Sequence, residues 1–137
     1  MRKDIVVPKV ENIGIAIIQE LNDEKTAQVY NVYLINYSNQ TLENVLVSSK
    51  GYGVDPNNGE TVKTSVLRHK LSDLSPKSYA RIEPIIDTLF GLSNEYWLSY
   101  YIGKDIYDKK YIFLPETINE THFIDIPLIE KKGVIIK

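Results

Sequence analysis

Residues 28–37 read Gln-Val-Tyr-Asn-Val-Tyr-Leu-Ile-Asn-Tyr, and residues 95–102 read Glu-Tyr-Trp-Leu-Ser-Tyr-Tyr-Ile. Both stretches are rich in β-branched and aromatic residues, which favour strands. A strand that covers a core on one side only alternates apolar with polar residues, whereas these two are apolar on both faces. The sequence therefore predicts strands whose second face is also covered, either by the same domain or by a partner.

Further strand-like segments surround these two, and turn residues separate them. They lie at residues 10–21, 42–52, 60–71, 78–86, 107–114 and 122–129. Residues 115–120 favour a short helix, because proline suits the first helical position, and residues 87–94 favour either a loop or one helical turn. A chain of 137 residues has the length of one domain. We therefore expect a single all-β domain over residues 1–137, a sandwich of seven to eight strands.

The composition narrows the classes of function. The chain has no cysteine, so it can form neither a disulfide framework nor a thiolate metal site. Its net charge is −2 and its basic residues are scattered, which argues against a nucleic-acid partner. No apolar run is long enough for a membrane span, and we expect a cytoplasmic protein without a cofactor. The abundance of Lys, Ile, Asn and Tyr indicates an AT-rich coding bias and hence a bacterial source.

Three motifs carry a resemblance to a known family. Residues 32–38 read Val-Tyr-Leu-Ile-Asn-Tyr-Ser, residues 42–47 read Leu-Glu-Asn-Val-Leu-Val, and residues 71–78 read Leu-Ser-Asp-Leu-Ser-Pro-Lys-Ser. Together they resemble small bacterial immunoglobulin-like β-sandwich domains over residues 28–80, although Lys77 stands where those domains usually have glycine. The resemblance implies an immunoglobulin-like sandwich with an adhesive, linking or accessory role and no shared catalytic residues.

The chain also resembles short bacterial proteins that are labelled as the α subunit of phenylalanyl-tRNA synthetase. A synthetase needs a much longer catalytic domain, with arginines to hold ATP. This chain offers only Arg2, Arg68 and Arg81. Its motifs therefore do not support the label, and we do not expect that activity.

Residues with acid–base or metal-binding chemistry form no recognisable motif. His69 is in phase with Leu67 and Leu71, so we expect a partly buried structural residue, and we expect His122 on the surface. The late carboxylates are expected to be solvated charges in or near loops: Glu83, Asp87, Glu95, Asp105 and Asp108. The sequence therefore predicts no catalytic residue and no metal site, and an enzyme is not expected.

One set of apolar residues lies opposite the face that we assign to the core. Tyr33, Ile35 and Tyr37 share this outer face, and a hairpin with the first strand would add Ile18. Tyrosines beside small residues make a flat surface of the kind found in protein interfaces. Three uses remain open: cover by one of the chain termini, self-association, or ligand stacking. The candidate interface is therefore Ile18, Tyr33, Ile35 and Tyr37, which would make the protein a homo-oligomer.

A second set lies in residues 95–102. Tyr96, Leu98, Tyr100 and Ile102 are assigned to the core, so Trp97 and Tyr101 point the other way. The reverse assignment, with Trp97 as the central tryptophan of the sandwich, remains open. Our preferred function is a non-enzymatic interaction module that self-associates through an outer sheet face. The alternative is a domain that binds a small ligand or carbohydrate and stacks it on Trp97 and Tyr101.

Overall fold

The computed structural model describes residues 8–137 and folds them into two packed antiparallel sheets. The strands in this part of the chain are β1 Ile13–Leu21, β2 Gln28–Asn36, β3 Glu43–Val54, β4 Thr61–Lys63, β5 Leu67–Lys70, β6 Ser78–Ile85, β7 Ser93–Ile102, β8 Asp105–Phe113, β9 Ile124–Ile126 and β10 Lys131–Ile136. Two single turns of 3₁₀ helix occupy Asp87–Leu89 and Glu120–His122. The all-β class is confirmed, with ten strands in the described residues where the sequence predicts seven to eight.

The chain passes back and forth between the two sheets. The first sheet has the order β6-β2-β1-β10-β9, and the second has the order β4-β3-β7-β8, with β5 also paired to β3. The chain thus completes the β1–β2 hairpin, crosses to the second sheet for β3, β4 and β5, and returns for β6. It crosses again for β7 and β8, and ends beside β1 with β9 and β10.

The core lies between the sheets and follows the predicted alternation. In β1 and β2 it takes Ile13, Ile15, Ile17, Val32 and Leu34, each at most 1% exposed. In β3 and β7 it takes Val45, Val47, Tyr96, Leu98 and Tyr100. The second sheet therefore points Tyr96 inward and Trp97 outward. The alternative that made Trp97 the central core residue is not what the fold adopts.

Asn36 explains part of the sequence motif at residues 32–38. Its side-chain amide is fully buried and donates to the carbonyl oxygens of Gln40, Leu74 and Ser75 at 2.8–3.2 Å. Its side-chain oxygen accepts from the backbone N–H of Ser38 at 2.9 Å. A buried polar group needs hydrogen-bond partners, and Asn36 finds them in two separate loops. These bonds hold the end of β2 to the loop of Gln40 and to the loop of Leu74 and Ser75.

Three of the predicted elements are divided, absent or shorter in the structure. Residues 60–71 form two short strands instead of one, because their pairing with β3 shifts by one residue: Lys63 lies opposite Tyr52, whereas Leu67 lies opposite Ser49. The helix predicted at 115–120 does not form, since Glu116 has a φ of 68° and a helix cannot include it. The strand predicted at 122–129 is limited to Ile124–Ile126 by Pro127 and by Leu128, whose φ is 76°.

The contact between β1 and β10 requires glycine at one position. Gly133 lies opposite Ile18, and a Cβ atom there would overlap the carbonyl group of Ile17 and meet the Cα of Ile18 at 3.1 Å. The side chain of any other residue would push the two strands apart. Gly133 therefore lets β10 approach β1 closely.

Candidate functional site

The first outer sheet face is covered within the chain. Ala16, Ile18 and Ile35 are fully buried, and they pack against Ile126 and Ile129 of the segment that contains β9 and the turn before β10. We refer to this region as the covered face. It corresponds to the first alternative above, cover by a chain terminus.

The four candidate interface residues do come together on the covered face. Tyr33 and Tyr37 pack around the buried pair Ile18 and Ile35 and are themselves partly buried. Tyr37 donates its hydroxyl to the carbonyl oxygen of Pro127 at 2.9 Å, so it contacts the covering segment directly. Ile18 and Ile35 are 0% exposed in the single chain. The expectation that this face is open to a partner is therefore corrected, because the chain's own residues 126–130 lie on it.

A carboxylate fixes the edge of the covered face. Glu20 accepts hydrogen bonds from Asn31 and Tyr33, both at 2.7 Å, and from Lys131 at 2.6 Å. Burial alone would raise the pKa of Glu20, but the hydrogen bonds from Lys131, Tyr33 and Asn31 outweigh it and lower that pKa. Burial and the bond to Glu20 raise the pKa of Tyr33, so its hydroxyl remains the donor. Since Lys131 opens β10, this cluster ties the covering segment to β1.

The second sheet has an outer face that no other part of residues 8–137 covers. Trp97 is 46% exposed there, and Leu46, Tyr101 and Ile106 are exposed to a similar degree. We call this surface the Trp97 face. Trp97 and Tyr101 point the same way, as the sequence predicts, but they are about 13 Å apart along β7, with Ser99 between them.

The register of β7 and β8 places two charged side chains beside Trp97. Lys110 lies opposite Trp97 on β8, and its ammonium is 4.9 Å from the centre of the indole ring. The indole N–H is directed at Asp108, with 3.4 Å between the ring nitrogen and the carboxylate oxygen. A cation over an aromatic face and a carboxylate at its edge are both favourable for indole. The ring is therefore held in place while almost half of it stays in contact with solvent.

A nearly buried carboxylate lies beside Trp97 on the same face. The side chain of Glu95 is 10% exposed and accepts from the hydroxyl of Tyr52 at 3.2 Å, while Lys50 lies 3.7 Å from its second oxygen. Burial, followed by the charge of Glu95, raises the pKa of Tyr52. A cavity of about 580 Å³ opens over these groups, with Val54 and Val66 in its wall.

A second carboxylate joins the two sheets. Glu83 on β6 accepts from Ser49 at 2.8 Å and from Tyr96 at 3.3 Å, and it pairs with His69 at 2.7 Å. Burial, followed by the charge of Glu83, raises the pKa of Tyr96. Because Ser49 donates to Glu83 and not to His69, the group lacks the serine–histidine contact of a hydrolytic triad. The arrangement can anchor one sheet to the other.

The two carboxylates are where sequence reasoning failed in this region. Glu83 and Glu95 were expected to be solvated charges in or near loops, but their side chains are only 12% and 10% exposed. His69 is partly buried and His122 is exposed, as the sequence predicts. The in-phase position of Glu95 with Trp97 and Tyr101 on β7 was the signal that would have placed it on the Trp97 face.

Within residues 8–137, no group of three or more histidine, aspartate or glutamate side chains is arranged to hold a metal ion. The helical segments of this part of the chain are too short and polar to cross a membrane. No protein-family model, curated protein or solved structure matches the chain.

Proposed function

We propose that this chain is a non-enzymatic interaction module that self-associates through an outer sheet face, and that the face is the Trp97 face. The observation that carries the proposal is a half-exposed tryptophan that shares one sheet face with half-exposed Leu46, Tyr101 and Ile106. Tryptophan and tyrosine bury much apolar area at low entropic cost and dominate protein interfaces. A standard interface would bury about 800 Å² on each copy.

The strand order supports an immunoglobulin-like architecture, which forms part of the proposal. In immunoglobulin domains, strands A, B and E share one sheet, and strands C, F and G share the other. Here β1, β2 and β6 share the first sheet, and β3, β7 and β8 share the second. β9 and β10 then extend the first sheet beyond β1, which departs from the usual pattern. An interaction role agrees with the adhesive and accessory roles of the family that the sequence resembles.

Light scattering coupled to size-exclusion chromatography tests self-association. The unmodified chain is expected to elute as a dimer or larger assembly at high micromolar concentration. Leu46→Glu combined with Trp97→Glu should abolish this contact in a chain that stays folded and so lower the mass of the assembly, because each change places a charge in the contact. Ile86→Glu is the matched control, since Ile86 is 64% exposed and lies outside this face. A strict monomer of the unmodified chain, or an assembly whose mass the double change leaves unaltered, would count against the proposal.

A second candidate function is binding of a small ligand or carbohydrate. The observation that favours it is Glu95, a nearly buried carboxylate that lines a cavity and precedes Trp97 by two residues on the same face of β7. An aromatic ring next to a hydrogen-bond acceptor suits the apolar and hydroxyl faces of a sugar. Trp97 is the only tryptophan, so its fluorescence reports on this site alone. Neutral acrylamide should quench it strongly, and a saccharide that binds should protect it; an emission resistant to acrylamide would exclude this use.

A further inference from the structure

The free edge of the second sheet is unusually long. Within residues 8–137, β8 pairs only with β7, so its other side presents unpaired backbone N–H and C=O groups. The other edges are short or interrupted: β4, β5 and β9 have three or four residues each, and β6 contains Pro84 and a register shift. β8 has nine residues, with no proline and no bulge in its pairing with β7.

The sequence of this edge reads almost the same in both directions. Residues 106–112 are Ile-Tyr-Asp-Lys-Lys-Tyr-Ile. If two copies of β8 lie antiparallel with Lys109 opposite itself, Ile106 faces Ile112, Tyr107 faces Tyr111, and Asp108 faces Lys110 of the second copy. The chain is therefore complementary to itself in one register, as a two-fold symmetric contact requires.

The charges favour this register over its neighbours. Asp108 and Lys110 are both exposed and point to the Trp97 face, and neither has an ion-pair partner within 4 Å among residues 8–137. The symmetric pairing gives each of them an opposite charge directly across the strands, twice in each dimer. Opposite charges in that position stabilise antiparallel pairs. A shift by two residues would instead place Lys110 opposite itself and Asp108 opposite an isoleucine.

Lys109 is the unfavourable element of the register. It would face its own copy, and like charges directly opposite each other destabilise a pair. Its ammonium lies 5.1 Å from the centre of the Tyr111 ring, so the side chain already runs along its own strand. The contact should therefore be weak and reversible, and removal of this charge should strengthen it.

From these observations we infer that β8 pairs with β8 of a second copy in the register centred on Lys109. The pairing joins the β4-β3-β7-β8 sheets of two copies into one continuous sheet and places their Trp97 faces side by side. It uses the edge of the sheet and is separate from the face contact proposed above, so either contact can exist without the other.

Single-cysteine cross-linking tests the register, since the chain has no cysteine of its own. Residues opposite each other in an antiparallel pair have Cα atoms about 4.5–5.5 Å apart, within the range of a disulfide. Lys109→Cys should therefore give a covalent dimer on mild oxidation. Ile106→Cys should not, because its own copy lies about 20 Å away along the strands. A mixture of Ile106→Cys and Ile112→Cys chains should form the mixed disulfide.

Charge exchange tests the pairing without cysteine. Asp108→Lys should weaken the dimer on the order of tenfold, because two attractive pairs become repulsive. Asp108→Lys with Lys110→Asp should restore it, and Lys109→Thr should tighten it beyond the unmodified chain. Light scattering and sedimentation give the dissociation constants.

The outcomes separate the two contacts. A dimer that shows no cross-link at residue 109 overturns the edge pairing and leaves the face contact standing. A cross-link at 109 in a chain that also carries Leu46→Glu and Trp97→Glu supports the edge, and an assembly whose mass those two changes leave unaltered counts against the face. A monomer for both the unmodified chain and Lys109→Thr overturns both, and Lys109 and Lys110 are then charges that protect the edge from pairing.

Discussion

Replacement of Ile126 by alanine would measure how firmly the covering segment holds the covered face. Ile126 is fully buried against Ala16, Ile18 and Ile35. The change removes three carbon atoms, worth about 0.8 kcal/mol each in transfer free energy, and leaves a cavity. Buried isoleucine-to-alanine changes cost about 2–5 kcal/mol, and we expect about 3 kcal/mol here. That is a large part of the ~5–15 kcal/mol stability typical of a domain.

Urea unfolding, followed by circular dichroism or by the fluorescence of Trp97, would give the loss. With a slope of about 2 kcal/mol/M, the midpoint should fall by roughly 1.5 M. Ile124→Ala is the control, because Ile124 lies in the same short strand but is 53% exposed, and its replacement should cost less than about 0.5 kcal/mol. Equal and small losses for the two variants would refute the idea that residues 126–130 close this face.

Substitutions of Glu83, Gly133 and Glu20 test other contacts that stabilise the fold. Glu83→Ala should cost about 3–5 kcal/mol in unfolding free energy, because three side chains lose their shared partner, whereas exposed Glu60→Ala should cost almost nothing. Gly133→Ala should destabilise by more than about 2 kcal/mol in the same urea assay, whereas Gly91→Ala, whose Cβ would meet only a carboxylate oxygen at 3.7 Å, should be tolerated. Because the folded state lowers the pKa of Glu20, the Glu20 carboxylate stabilises the fold above about pH 4.3. This stabilisation is lost as the pH falls through the pKa of Glu20 in the folded state. Glu20→Gln should therefore make stability less dependent on pH in the acid range.

Alternation along the strands predicted the directions of side chains well, because successive side chains of a strand point to opposite faces of the sheet whatever surrounds it. The phases of β1, β2 and β7 follow from it, and so does the outward position of Trp97. Alternation also shows that Tyr33 and Ile35 share an apolar face. It cannot show what lies on that face, because the covering residues come from more than 80 positions later in the chain.

The buried carboxylates were missed for the same physical reason. Glu83 is stabilised by Ser49, His69 and Tyr96, which come from three other strands. A charged residue is normally taken to be exposed, since burial without partners is costly. Only the arrangement of strands brings the partners together, and one sequence by itself does not contain it.

The position of β10 beside β1 has a consequence for how the chain reaches its native state. β1 gains its second neighbour only when residues 131–136 have been synthesised and have returned to the first strand. Until then, one side of β1 has no hydrogen-bond partner, and β9 has no β10 to pair with that would hold Ile126 over Ala16, Ile18 and Ile35. Pairing between strands that are distant in the chain slows folding, and it prolongs the lifetime of intermediates that expose apolar surface and are prone to aggregate. Chaperone dependence during translation should therefore be greatest while the first nine strands are complete and the tenth is missing.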